Sequence, residues 1–144
     1  MTRILRGGWL IALAALGLFS VGCGPDGKKV VKVSGLLTLN GKPVPNAILH
    51  FEPSSGRPSW GMTNSEGRYT LKYTIDKEGA EVDTHKVWLE FPPATPQEEN
   101  DLATGKKQLP VETRAMAKKY GNKEKPEIEV AVTGDGKDIE IKLD

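Results

Sequence analysis

The chain is poor in cysteine, histidine and aromatic residues, and each shortage removes a class of chemistry. A single cysteine, Cys23, in 144 residues excludes an intramolecular disulfide and any zinc site built from several thiolates. The two histidines, His50 and His85, lack a Glu three residues on, so no His-x-x-Glu metal motif occurs. A formal net charge of +1 leaves neither a nucleic-acid footprint nor an acidic tail. Long apolar runs are also missing. The uncharged stretch from Trp9 to Val21 falls short of the about 20 residues that a helix needs to cross a hydrocarbon core.

That short apolar run nevertheless has a place in an ordered series. Arg3 and Arg6 precede it, small residues at Ser20 and Gly22 mark its end, and Cys23 stands where the polar, Gly/Pro-rich stretch begins. Basic start, apolar middle and small-residue end are the three zones of an export signal. A lone thiol in an oxidising compartment would be a liability. "SVGC", Ser20 to Cys23, resembles the lipobox of bacterial lipoproteins, in which the cysteine sulfur receives a diacylglyceryl group before cleavage; Ser20 stands where that motif usually carries Leu. The resemblance implies a signal peptide over 1–22, a lipidated Cys23 with a polar tether over 23–29, and a domain over 30–144 held at the cell membrane or outer membrane and facing the periplasm or exterior. More than one acyl chain is needed for durable anchoring, each buried methylene contributing about 0.8 kcal/mol.

From Val30 onward the apolar period is two. Val31, Val33, Gly35, Leu37 and Leu39 share one face, as do Ala47, Leu49 and Phe51; Tyr69, Leu71 and Tyr73; Val87, Leu89 and Phe91; Ile128, Val130 and Val132; and Ile139, Ile141 and Leu143. Between them stand turn residues: Asn40-Gly41, which tolerates positive φ, Gly67, and Gly134 with Gly136. Six or seven short strands with almost no helical periodicity predict an all-β, antiparallel β-sandwich.

The order of these segments resembles a known family. "VSGLLTLNGKPVPNAILHFEP", "GMTNSEGRYTL" and "GAEVDTHKVWLEF" are similar to the carboxypeptidase regulatory-like domain, a transthyretin-like (prealbumin-like) sandwich of seven strands, over most of Lys28 to Asp144. Many short bacterial lipoproteins consist of a leader and such a domain. The resemblance is to the accessory domain of a carboxypeptidase, not to its catalytic one, and implies no cofactor. The chain ends "IEIKLD" and not in the Tyr-Arg-Gly-Ser of the transthyretin-like hydroxyisourate hydrolases. Ser54, Ser55 and Ser59 lie in a Gly/Pro loop without a His-centred triad, and Asp76, Glu78, Glu81 and Asp83 lack the spacing of a calcium cage.

The reading is therefore a non-catalytic envelope lipoprotein with a structural or interaction role, bound to the membrane through Cys23 and not to nucleic acid. Its alternative is a carbohydrate- or peptide-binding module serving a surface enzyme or transport system. The candidate ligand-binding residues are Trp60 and Trp88, whose indoles offer stacking surfaces for a glycan or protein partner. Against this, Trp60 would cover the end of the sandwich, and Trp88 would pack beneath a long loop over 92–126. That loop is expected to hold one short helix around Thr113 to Tyr120 and to be irregular elsewhere.

Overall fold

A computed structural model describes residues 27–135 and 138–144. Residues 1–22 and the lipidation candidate Cys23 lie outside that range. The described chain is mostly β, with several antiparallel sheets and two short helices. In chain order the elements are β1 (Val30–Val31), β2 (Ser34–Leu39), β3 (Lys42–Pro43), β4 (Ile48–Pro53), β5 (Ser59–Met62), β6 (Arg68–Thr70), β7 (Ala80–Glu81), β8 (Asp83–Glu90), α1 (Pro96–Ala103), α2 (Val111–Tyr120), β9 (Ile128–Val132) and β10 (Asp138–Leu143).

One four-stranded sheet has the order β5-β4-β8-β9, antiparallel throughout. A second is built on β2, which pairs β10 on one side and both β3 and β6 on the other. β1 and β7 form a two-stranded ladder. The alternation read from the sequence sorts the side chains as expected: Leu37, Ala47, Leu49, Phe51, Tyr69, Leu71, Val87, Leu89, Ile141 and Leu143 are all buried in one cluster fed by both four-stranded sheets. Phe51 of β4 meets Tyr69 of β6 at 6.1 Å between ring centroids, joining the two sheets across that core. Asn40 and Gly41 carry φ of 49° and 79° between the paired residues Leu39 and Lys42, the double positive φ that a tight hairpin turn requires.

Two expectations need correction. β10 runs parallel to β2, from Asp138 opposite Ser34 to Leu143 opposite Leu39, so the arrangement is not wholly antiparallel; alternation fixes which face a residue takes but carries no information about the direction of its neighbour. The segment 92–126 contains two helices and not one. α2 covers the expected Thr113–Tyr120 and begins earlier, at Val111. α1 was not expected, although its start is built from a recognisable cap: Thr95 Oγ1 accepts from Glu98 N at 3.1 Å, Pro96 opens the helix, and the Glu98 carboxylate accepts from Ala94 N at 2.9 Å.

These connections give the molecule two distinct ends. At one end the chain enters: Lys28 pairs with Asp83 and donates to the Ser55 carbonyl at 2.9 Å, and Lys29 donates to the Gly134 carbonyl at 3.0 Å. At the other end the strands finish beneath the helices. Met116 and Tyr120, one turn apart on α2, are buried, and the Tyr120 hydroxyl donates to Asp144 Oδ1 at 2.7 Å.

Candidate functional site

The strand register gathers the candidate residues on the outer face of the β5-β4-β8-β9 sheet. Along β4, Leu49 and Phe51 point into the core, so Ile48, His50 and Glu52 point outward. The same alternation turns Trp60 and Met62 of β5 outward, with Lys86, Trp88 and Glu90 of β8. Pairing then sets His50 directly opposite Trp60 on one side and Trp88 on the other, so the three rings form a row across three strands. Ile48 stands between Met62 and Glu90 in the next row.

His50 and Trp88 stack face to face, with ring centroids 3.7 Å apart and planes 6° from parallel, and His50 Nε2 lies 3.1 Å from Glu90 Oε2. Trp88 is thus half-buried by a histidine of its own sheet. Trp60 is 42% exposed and Met62 48% exposed. Lys72 reaches Trp60 from the side, its Nζ 5.6 Å from the ring centroid, because the backbones of Trp60 and Lys72 exchange hydrogen bonds of 3.1 and 2.7 Å. Gly61 makes that approach possible: a Cβ there would lie 2.6 Å from the Thr70 carbonyl oxygen.

The result is a flat aromatic strip edged by a cation at Lys72 and a carboxylate at Glu90. Such a strip can stack on a ring or on an apolar peptide face while its rim supplies hydrogen bonds. The sequence supplied both tryptophans but passed over His50, Met62, Lys72 and Glu90. The alternation in "ILHF" places His50 on the wet face; that it stands between two indoles depends on register, which the sequence alone does not display. The segment 92–126 does not complete this strip with a cleft of its own around an indole. The cleft it forms, with the turn after β2, is lined by neither tryptophan.

Of the other sequence candidates, His85 and Glu81 are brought together. His85 is fully buried, its Nε2 2.8 Å from the Glu81 carbonyl oxygen. Glu81 is buried and accepts from the Tyr73 hydroxyl at 2.8 Å, Glu78 pairs with Lys32, and Asp83 pairs with Lys28. The Lys28 ammonium, with help from the Thr84 amide, holds the Asp83 carboxyl below its ordinary value of 3.8. Ser59, expected in the loop, instead opens β5 and is buried opposite Phe51 of β4, while Ser54 and Ser55 stay exposed in the loop between the two strands. Among the described residues no group of three or more His, Cys, Asp or Glu is placed to hold a metal ion, and no helix is long and apolar enough to cross a membrane.

Compared with known proteins, the chain matches no protein-family model, no curated protein and no solved structure.

Proposed function

We propose that this chain is an exported bacterial lipoprotein whose Cys23 carries the lipid and whose residues 30–144 form a non-catalytic interaction module of the cell envelope. In this reading the domain is a transthyretin-like sandwich of the carboxypeptidase regulatory-like kind, tethered by 23–29 at the cell membrane or outer membrane. The leader pattern ending at Cys23 supports the address. The outer-face row of Trp60, His50 and Trp88, with Trp60 and Met62 open to solvent, supports the interaction role, because a mere spacer has no use for two indoles and a thioether on that sheet face. The described chain begins next to Lys28, which pairs with Asp83 at the start of β8, whereas Trp88 and Glu90 stand toward the other end of that strand.

Cys23→Ala tests the anchoring. The variant is expected to lose incorporation of labelled fatty acid and to leave the membrane fraction; full membrane retention without label would contradict it.

A second reading, carbohydrate binding, draws on Trp60 in particular. Its indole is open on a flat face with Lys72 and Glu90 within the same strip, which suits a sugar ring stacked on the indole and hydrogen-bonded at its edge. A glycan array probed with the full chain and with Trp60→Ala separates the readings. Glycan binding that disappears in the variant supports the second; a blank array with capture of protein partners through the same face supports the first.

A further inference from the structure

A second candidate site lies at the helical end, away from the aromatic strip. The turn after β2 and the start of α2 enclose a cleft of about 380 Å³, within the range of small-ligand pockets. Its floor is apolar, made by Leu39, Val44, Phe91, Leu109 and Met116. One wall is held in place by Glu98, which accepts from Ala94 N at 2.9 Å and pairs with Lys107 across the end of α1. That carboxyl is kept below its ordinary 4.5 by the Lys107 ammonium first and the Ala94 amide second, so its charge is already spent on the wall.

The rim differs from the wall. Lys42 and Glu112 both line the cleft and both are exposed, and among the described residues the side chain of neither has an ion pair or hydrogen bond. The side chains of Asn40, Asn46 and Thr113, also on the lining, likewise have no partner among the described residues. An apolar floor is thus bordered by one unpaired cation, one unpaired anion, and amide and hydroxyl groups that both donate and accept.

We propose that this cleft binds a short peptide with free termini, two or three residues long, whose apolar side chain lies on the floor. Its carboxylate faces Lys42, its ammonium faces Glu112, and its peptide linkage exchanges hydrogen bonds with Asn40, Asn46 and Thr113. An acyl chain would use the floor and leave both charges unused. A nucleotide would bring an excess of negative charge toward Glu112. A zwitterion carrying amides and an apolar side chain uses each feature once.

Calorimetric titration of the detergent-solubilised full chain with unblocked leucyl-leucine tests this. The expected result is saturable binding of one peptide per chain, weakened about two- to fivefold by acetylating its amine or amidating its carboxylate. Glu112→Lys and Lys42→Glu are expected to weaken the unblocked peptide by a similar factor. Both positions are exposed, so neither substitution disturbs the core. Trp60→Ala is expected to leave the affinity unchanged. Absence of saturable binding up to the peptide's solubility limit would overturn the proposal, as would an affinity indifferent to blocking and charge reversal. Loss of binding in Trp60→Ala would move the peptide to the sheet face and overturn it equally.

Discussion

Gly35 shows how much of the fold can rest on a missing side chain. A Cβ at that position would lie 1.8 Å from the Ile139 carbonyl oxygen and 2.7 Å from the Tyr69 hydroxyl, which itself donates to Ile139 O at 2.7 Å. Gly35→Ala therefore forces β2 away from β10, and a destabilisation of about 2–4 kcal/mol is expected by urea unfolding, against a change within about 0.5 kcal/mol for an exposed control such as Lys32→Ala. Charged groups act at the same scale but more weakly. The pairing of Asp83 with Lys28 lowers the Asp83 pKa in the folded state, so it adds stability above the unfolded value of 3.8 and loses that contribution as the pH falls through the folded one. Glu98 and Asp144 are shifted downward as well, by Lys107 and Lys119 respectively. Unfolding free energy is thus expected to change little on this account between about pH 7 and pH 5 and to fall below about pH 4, with a shallower acid slope in Asp83→Asn. Burial moves Tyr69 the other way: its phenol is pushed up, chiefly by loss of solvent and further by the charge on Asp138. Its neutral form is the one the fold keeps, so its contribution is lost only as the pH rises above the ordinary 10.

At the scale of elements, the segments with alternating apolar residues were legible as strands and their neighbours were not; β5, which carries Trp60, lies where the sequence predicts a Gly/Pro loop. Leu49 and Phe51 inward with His50 outward follows from alternation alone, and the structure agrees residue by residue. Pairing depends on which strand lies alongside. That is why the parallel contact of β10 with β2 and the row of Trp60, His50 and Trp88 escaped a reading of one sequence. α1 is a different case, since "TPQE" holds its signal openly: a Thr cap, a proline at the first helical position and a Glu three residues after the cap. The helix buries none of its own residues, so apolar periodicity had nothing to report there. An element held by its cap and not by packing is expected to depend on that cap. Thr95→Ala should weaken α1 by about 1 kcal/mol, seen as faster amide exchange confined to its first two turns while β4 and β8 keep their protection.

The molecule as a whole has a polarity. The chain enters the domain at the end marked by Lys28, Lys29 and Asp83, and the helices with their cleft lie at the far ends of β4 and β8. A lipid on Cys23 would set the entry end toward the bilayer, leaving the cleft outermost and the aromatic strip along the side. Eight residues of β8 separate the two ends, roughly 25 Å at a rise of about 3.3 Å per residue. The address is the premise on which this polarity stands. Intact mass analysis of the protein purified from its native membrane tests it most directly. The account predicts a polypeptide that begins at Cys23 and carries the added mass of acyl chains on that residue. A polypeptide that keeps residues 1–22 and has an unmodified thiol would contradict it.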